Sequence, residues 1–198
     1  LAAQQVATQE LPVVIDPESA SSLLSHLAST LSGYALYKKA SFLVDKVGTK
    51  IASDMVTIED NPTLPFGLGT RPFDGEGLPS YKKWVVEKGV LKSYLLDTYS
   101  GKKLGLPSTG NASRWAGSAP SVGTTNFHMM PGADSPDTII RSVRSGLYVT
   151  DLIGFGVNTV TGDYSQGAVG LWIENGALAY PVEEITIAGN LKEMFLNI

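Results

Sequence analysis

Twice along this chain an apolar run stops at an acid, a turn-forming residue and a glycine, and then resumes. The first instance is Trp84-Val85-Val86, then Glu87-Lys88-Gly89, then Val90–Leu96. The second is Leu171-Trp172-Ile173, then Glu174-Asn175-Gly176, then Leu178–Val182. Glycine in such a break suits the two-residue turn whose backbone matches strand twist, so β-hairpins are expected within Tyr81–Leu96 and Gly170–Ile187. Two hairpins commit much of the chain to antiparallel pairing. Their likeness leaves both an internal duplication and chance resemblance open.

Helical periodicity is clearest between them and the N-terminus. Leu11–Ile15 reads as a short buried strand leading into Asp16-Pro17-Glu18, an N-cap with proline at the first helical position. Apolar residues then recur at Ala20, Leu23, Leu24, Leu27, Ala28 and Leu31, the spacing of one helix face, and Gly33 is expected as its left-handed C-terminal cap. A second helix is expected over Lys39–Lys46, ending at Gly48, and a strand over Met55–Glu59. Four prolines and four glycines between Asn61 and Pro79 predict a long irregular connection. Further expectations are a helix near Thr98–Leu104, a Gly/Ser/Asn-rich stretch at Gly105–Gly123, and a strand at Thr124–Met129. A helix starting at Pro136 under an Asp134 or Ser135 cap follows, then strands over Tyr148–Ile153 and from Ser165 onward, and a final helical pattern at Asn190–Ile198.

Separate helices interrupting runs of strand indicate an α+β class: largely antiparallel sheets, or a barrel-like β structure, with hairpins and several packed helices. At 198 residues with 43% hydrophobic content, the chain can fill one sizeable domain. The helical end without a cap and the missing initiator methionine suggest a domain truncated at both ends.

The chemistry of the chain is constrained mainly by what it lacks. A net charge of −4, with basic residues only in short pairs, argues against direct nucleic-acid binding. Zero cysteines exclude disulfides and thiol chemistry within this span. The polar opening Leu1–Gln9 has no signal-peptide pattern and no apolar run is long enough for a bilayer, so a cytoplasmic location is expected. Of the two histidines, His26 falls on the polar face of the first helix, with Thr30 where a second ligand would stand. His128 is a lone histidine on the predicted strand. Ser80-x-x-Lys83 and Ser100-x-x-Lys103 share serine–lysine spacing but lack the motifs that accompany it in enzymes.

The Gly105–Gly123 stretch is the place where binding can be sought, because compact domains seldom keep such loops without a use for them. Ser108, Thr109, Gly110 and Asn111 offer hydroxyls, a carboxamide and backbone donors suited to an extended peptide or partner strand. With Phe127 and His128 they form the candidate peptide- or partner-binding set, and plain loop flexibility fits the stretch as well. Truncating Thr109 or Asn111 to alanine is expected to weaken peptide capture without unfolding the domain.

Several ordered segments, taken together, resemble the TldD/PmbA family, in its PmbA (TldE) branch. They are Ser41-Phe42-Leu43, Arg71-Pro72-Phe73-Asp74-Gly75-Glu76-Gly77, Tyr99–Gly105 leading to Ser108-Thr109-Gly110, and Thr161–Ala168 running on to Gly170–Gly176. Tyr180-Pro181-Val182 and Ile185–Lys192 complete the series. The resemblance implies that 1–198 form a single C-terminal, peptidase-like domain. It implies a zinc peptidase assembled from a TldD-type and a PmbA-type subunit, acting on peptides or unfolded segments. The TldD-type subunit carries His-Glu-x-x-x-His on a helix; here that place reads Ser25-His26-Leu27-Ala28-Ser29-Thr30, so no ligand role carries over. The expectation is therefore a chain with no cofactor of its own, hydrolytic only as part of a metallopeptidase complex. Zinc would sit in a TldD-type partner, or the chain would form a homo-oligomer, with peptide as substrate and no membrane or nucleic acid involved. The competing reading is a non-catalytic interaction module, echoing the old family label of DNA gyrase modulator.

Overall fold

The computed structural model describes residues 3–198; Leu1 and Ala2, the start of the polar opening, lie outside them. In chain order the first elements are β1 (Val13–Ile15), α1 (Pro17–Leu31), α2 (Gly33–Tyr37), β2 (Ile58–Asp60), β3 (Lys83–Glu87) and β4 (Val90–Leu91). Next come α3 (Thr98–Leu104), β5 (Ala112–Ser113), β6 (Ser121–Val122), β7 (Phe127–Met129) and α4 (Pro136–Ser142). The last are β8 (Ser145–Ile153), β9 (Asp163–Glu174), β10 (Ala177–Asn190) and α5 (Leu191–Leu196). The class is α+β, and among the described strands every pair is antiparallel except β1 with β8.

The chain divides into two compact units. The first takes residues up to Leu23, Pro131–Asn158 and Asp163–Asn190, and is built on a sheet ordered β1-β8-β9-β10. The β9–β10 hairpin turns at Asn175 and Gly176, both with positive φ, as its Asn-Gly signal requires. Leu147, Val149, Ala168, Trp172 and Val182 form its core, and Tyr180 stacks on Trp172 at 6.3 Å. Ser135 caps α4 by accepting from Thr138 N. In β1, Val13 is 37% exposed, so the strand is half-buried and not the fully buried run its composition suggested.

The second unit takes Leu24–Met130, Thr159–Gly162 and Leu191–Ile198, and holds the sheet β4-β3-β2-β7 and the two-stranded sheet β5-β6. The β3–β4 hairpin turns at Lys88 and Gly89, again both at positive φ. Its second strand is short: Lys92 N and Ser93 N both turn to Val85 O, and Leu95 bonds to the end of α1 and to Gly33. Leu27 and Leu31 on α1 are buried, as the helical spacing predicted.

Two helix expectations fail for identifiable reasons. Gly33 does not cap α1 in the left-handed conformation; it opens α2. A Cβ there would lie 2.6 Å from Ser100 Cβ and 2.7 Å from Leu96 Cδ2, so the glycine serves the close approach of α2 to α3. Residues 39–46 form turns, not a helix, because Ser41 Oγ donates to Thr30 O at 2.7 Å and accepts from Leu43 N at 3.0 Å. A serine side chain that takes over local backbone partners in this way offers the chain an alternative to helix. The strands expected at Met55–Glu59 and Thr124–Met129 shorten to β2 and β7, since Val56 N closes a turn on Ser53 O and Thr125 N bonds to a side chain, Asp60 Oδ1.

Candidate functional site

The candidate binding residues 108–111 turn out to be largely interior. Ser108 Oγ donates to Leu96 O at 3.2 Å and Gly110 adopts φ +68. Thr109 and Asn111 are buried, with Thr109 Oγ1 donating to Asn111 Oδ1 at 2.7 Å. Asn111 Nδ2 in turn donates to Asp60 Oδ2 at 2.7 Å and to Gly123 O at 3.0 Å. Asp60, wholly out of solvent, also accepts from Thr125 N and Thr125 Oγ1, each at 2.7 Å, and from Lys83 Nζ at 3.4 Å. Burial lowers the Lys83 pKa, against the opposing pull of the Asp60 carboxylate. Such a network is costly to break, which reverses the expectation that Thr109 and Asn111 can be truncated without consequence for the fold.

Phe127 and His128 lie on β7, where they pair in register with Asp60 and Glu59. His128 Nε2 stands 3.5 Å from Glu59 Oε1, and Lys82 Nζ reaches Glu59 Oε2 at 2.8 Å. Asn61 Nδ2 donates to Glu59 Oε1 at 3.1 Å. Burial would raise the Glu59 pKa; the Lys82 and Asn61 hydrogen bonds and the nearby positive charge outweigh it and hold the carboxyl below its ordinary range. His128 thus stands beside Glu59 on the sheet, and it does not line the groove described below.

What 108–111 do support is the strand pair above them. Asn111 O accepts from Gly123 N at 2.8 Å, and β5 pairs with β6 in the register Ala112↔Val122. β6 forms one wall of a groove of about 610 Å³, with Ala119 and Pro120 beside it. The lining also includes Tyr34 of α2, Tyr99 and Ser100 of α3, the α3 cap Asp97 and Glu76. Asp97 caps α3 in a capping box with Ser100, and Glu76 Oε2 accepts from Thr98 N at 2.8 Å. Ser100 Oγ is committed to Asp97 Oδ1 at 2.6 Å, which accounts for one of the serine–lysine spacings without any nucleophile. The other is accounted for in the same way, since Lys83 is held by Asp60.

Aromatic packing braces this wall. Tyr34 meets Tyr37 edge-on at 5.5 Å and Tyr37 meets Tyr99 edge-on at 5.9 Å, while Tyr34 and Tyr99 keep more than half their surface exposed. Sequence reading missed these groove residues, because positions 34, 76, 97–100 and 119–122 meet only through the fold. One local signal was available: Asp97-x-x-Ser100 has the spacing of a capping box.

On α1, the positions at which the resemblance places zinc ligands carry Ser25 and Thr30. Thr30 is fully buried and its Oγ1 donates to Leu27 O at 2.7 Å. His26 is half-buried, not freely solvated as its helix face suggested, and burial lowers its pKa. Among the described residues no three His, Cys, Asp or Glu side chains are grouped to hold a metal ion, and no helix is long and apolar enough to cross a membrane.

Residues 8–198 match the family described as PmbA/TldA metallopeptidase C-terminal domain. The chain is 43% identical over 98% of its length to the Metalloprotease PmbA homolog of Haemophilus influenzae, and 41% identical over its whole length to Metalloprotease PmbA of Escherichia coli O157:H7. It spans 42% of the length of each of these relatives. Among solved structures, TldE from Thermococcus kodakarensis superposes with a TM-score of 0.91 at 31% identity, covering 98% of this chain and 45% of that one. A Bacteroides thetaiotaomicron protein described as a candidate modulator of DNA gyrase superposes at 0.88 with 38% identity, covering 98% and 42%. The metal implied by these names finds no fitting ligands at Ser25, His26 and Thr30, since one imidazole stands alone and the threonine hydroxyl is spent on the helix backbone. With the match extending over nearly the whole chain, the protein belongs to the PmbA/TldD metallopeptidase family.

Proposed function

We propose that residues 1–198 act as the single C-terminal domain of a PmbA/TldE-type subunit that holds no zinc itself. The domain contributes scaffold and a peptide-receiving groove to a cytoplasmic metallopeptidase acting on peptides or unfolded segments. A TldD-type partner supplies the zinc and its ligands. The observation that supports this reading is α1, where Ser25 and the buried, backbone-bonded Thr30 stand at the positions at which the resemblance places zinc ligands, and His26 stands at that of the glutamate. The groove suits an extended chain: among the described residues one edge of β6 pairs with no strand, and peptides commonly bind by adding a strand to such an edge. In this reading Ser108, Thr109, Gly110 and Asn111 act from beneath, by fixing β5 and β6, and Phe127 and His128 belong to the sheet beside them.

Two measurements on the full-length protein test the reading. Elemental analysis of the protein alone is expected to find no stoichiometric zinc, and zinc held by this chain alone overturns the proposal. Peptide hydrolysis by a TldD-type partner is expected to depend on this chain. Identical rates with and without it favour the second reading, a pure interaction module. That alternative draws on Phe66 and Leu68, two fully exposed apolar side chains on a loop pinned by Asn126 through Gly69 N and Thr70 Oγ1.

A further inference from the structure

The groove contains an anionic oxygen that the fold does not use. Asp97 is 5% exposed, and it caps α3 through Oδ1 alone, accepting from Ser100 N at 2.7 Å and Ser100 Oγ at 2.6 Å. Among the described residues Oδ2 has no protein partner, and Asp97 lines the groove. Oδ2 keeps its contact with solvent at the groove, where a donor on a ligand can take the place of water. Glu76 adds a second carboxylate to the same lining, and no lysine or arginine is part of it.

The rings point to the same chemistry. Tyr34 and Tyr99 face the groove, and both already attract cations: Lys38 Nζ stands 4.2 Å from the Tyr34 centroid and Lys103 Nζ 5.5 Å from that of Tyr99. Neither lysine lines the groove. An anionic ligand would meet two carboxylates there, and an apolar side chain would leave Asp97 Oδ2 unpaired. A cationic side chain supplies the donor that Oδ2 can accept from and can lie beside the exposed Tyr99 ring.

We propose that this groove is a subsite for an arginine or lysine side chain of a bound peptide, with Asp97 Oδ2 as its ion-pair acceptor and Tyr99 as its aromatic wall. The proposal rests on the peptide-receiving reading above. Arginine is the better fit of the two, because a planar guanidinium stacks on a ring while donating to a carboxylate.

The test uses full-length protein and two fluorescein-labelled peptides, alike except that one carries arginine where the other carries citrulline, which keeps the shape and loses the charge. Anisotropy titration is expected to show the arginine peptide binding about tenfold more tightly. In Asp97→Asn the preference falls towards unity, while the amide still accepts from Ser100 N and keeps the melting temperature near wild type. Tyr99→Ala also reduces the preference, and Tyr99→Phe retains it. Equal binding of both peptides by the wild type, or a preference that survives Asp97→Asn, overturns the subsite and leaves peptide capture standing. Binding of neither peptide overturns the peptide-receiving groove and the subsite together.

Discussion

Asn111 and Asp60 meet in the interior of the second unit, the carboxamide Nδ2 donating to the carboxylate Oδ2 at 2.7 Å with both side chains out of solvent. The contact ties the segment under β5 to β2, and it supplies one of the donors that make a buried carboxylate tolerable. Asn111→Ala removes that donor and leaves a void. It is expected to cost about 3 kcal/mol, the upper end for unpairing a buried acceptor, read as a lower urea midpoint at unchanged m-value. Asn111→Asp should cost more, since it sets a second carboxylate against Asp60. A midpoint within error of wild type for Asn111→Ala would mean the network carries little of the stability.

Glu59 predicts an acid-side dependence. Its folded pKa lies below the ordinary value, with burial opposed and outweighed by Lys82, Asn61 and His128. A carboxyl depressed in the folded state contributes stability that is present above the unfolded pKa, about 4.3, and is lost as pH falls through the folded value. Urea midpoints measured at steps from neutral pH down through that range should fall for the wild type. In Glu59→Gln the part of the slope owed to this group disappears, while the midpoint at neutral pH is lower because Lys82 has lost its counter-charge. An unchanged acid slope in the variant counts against the Lys82–Glu59–His128 row as a source of stability.

Two glycines separate space from backbone conformation. Gly33→Ala keeps an ordinary backbone but drives a Cβ into Ser100 and Leu96, so α2 must move from α3. A loss of about 1–3 kcal/mol is expected, together with weaker peptide binding, since Tyr34 rides on α2. Gly105→Ala meets open space at φ +70, and should cost only about 1 kcal/mol of strain with peptide binding intact. Thermal melts and anisotropy on the two variants give the comparison. Peptide binding that is equally unaffected in both would detach the groove from the α2–α3 contact.

How much of this was legible in the sequence follows the range of the forces involved. The two hairpins, α1 and α4 were readable because each is specified by neighbours: Asn175-Gly176 for a turn, the Leu27–Leu31 spacing for a face, Ser135-Pro136 for a helix start. The missing helix at 39–46 was not, because Ser41 finds its partner on Thr30, across a chain reversal. The role of Gly33 is hidden for a similar reason: a glycine that ends a helix and one that lets two helices touch look alike until the second helix is in place. Asn111 and Thr109 are polar residues in a Gly/Ser/Asn-rich stretch, and polarity alone does not say whether the partner is a peptide or a buried aspartate. The groove was least legible of all, being assembled from short pieces spread between Ser32 and Val122.

The outer edge of β6 separates strand addition from side-chain binding. Gly123 N bonds to Asn111 O, and Ala112 stands opposite Val122. In an antiparallel ladder hydrogen-bonded and non-bonded pairs alternate, so the Val122 N–H and C=O point away from β5, towards the free edge. Proline is tolerated on an edge strand where the missing N–H faces outward. Val122→Pro should therefore leave the β5–β6 pairing in place and shift the melting temperature little, yet remove the donor that an added peptide strand would use. Loss of a single main-chain hydrogen bond is worth about 0.5–1.5 kcal/mol, so extended peptides should bind severalfold to about tenfold more weakly. Peptide length gives an internal control: a strand-forming peptide loses affinity, whereas free arginine amide, which reaches only the Asp97 subsite, does not. Undiminished binding of the extended peptide to a folded Val122→Pro protein would remove strand addition at β6 from the account, and the groove would then have to hold its ligand through side chains alone.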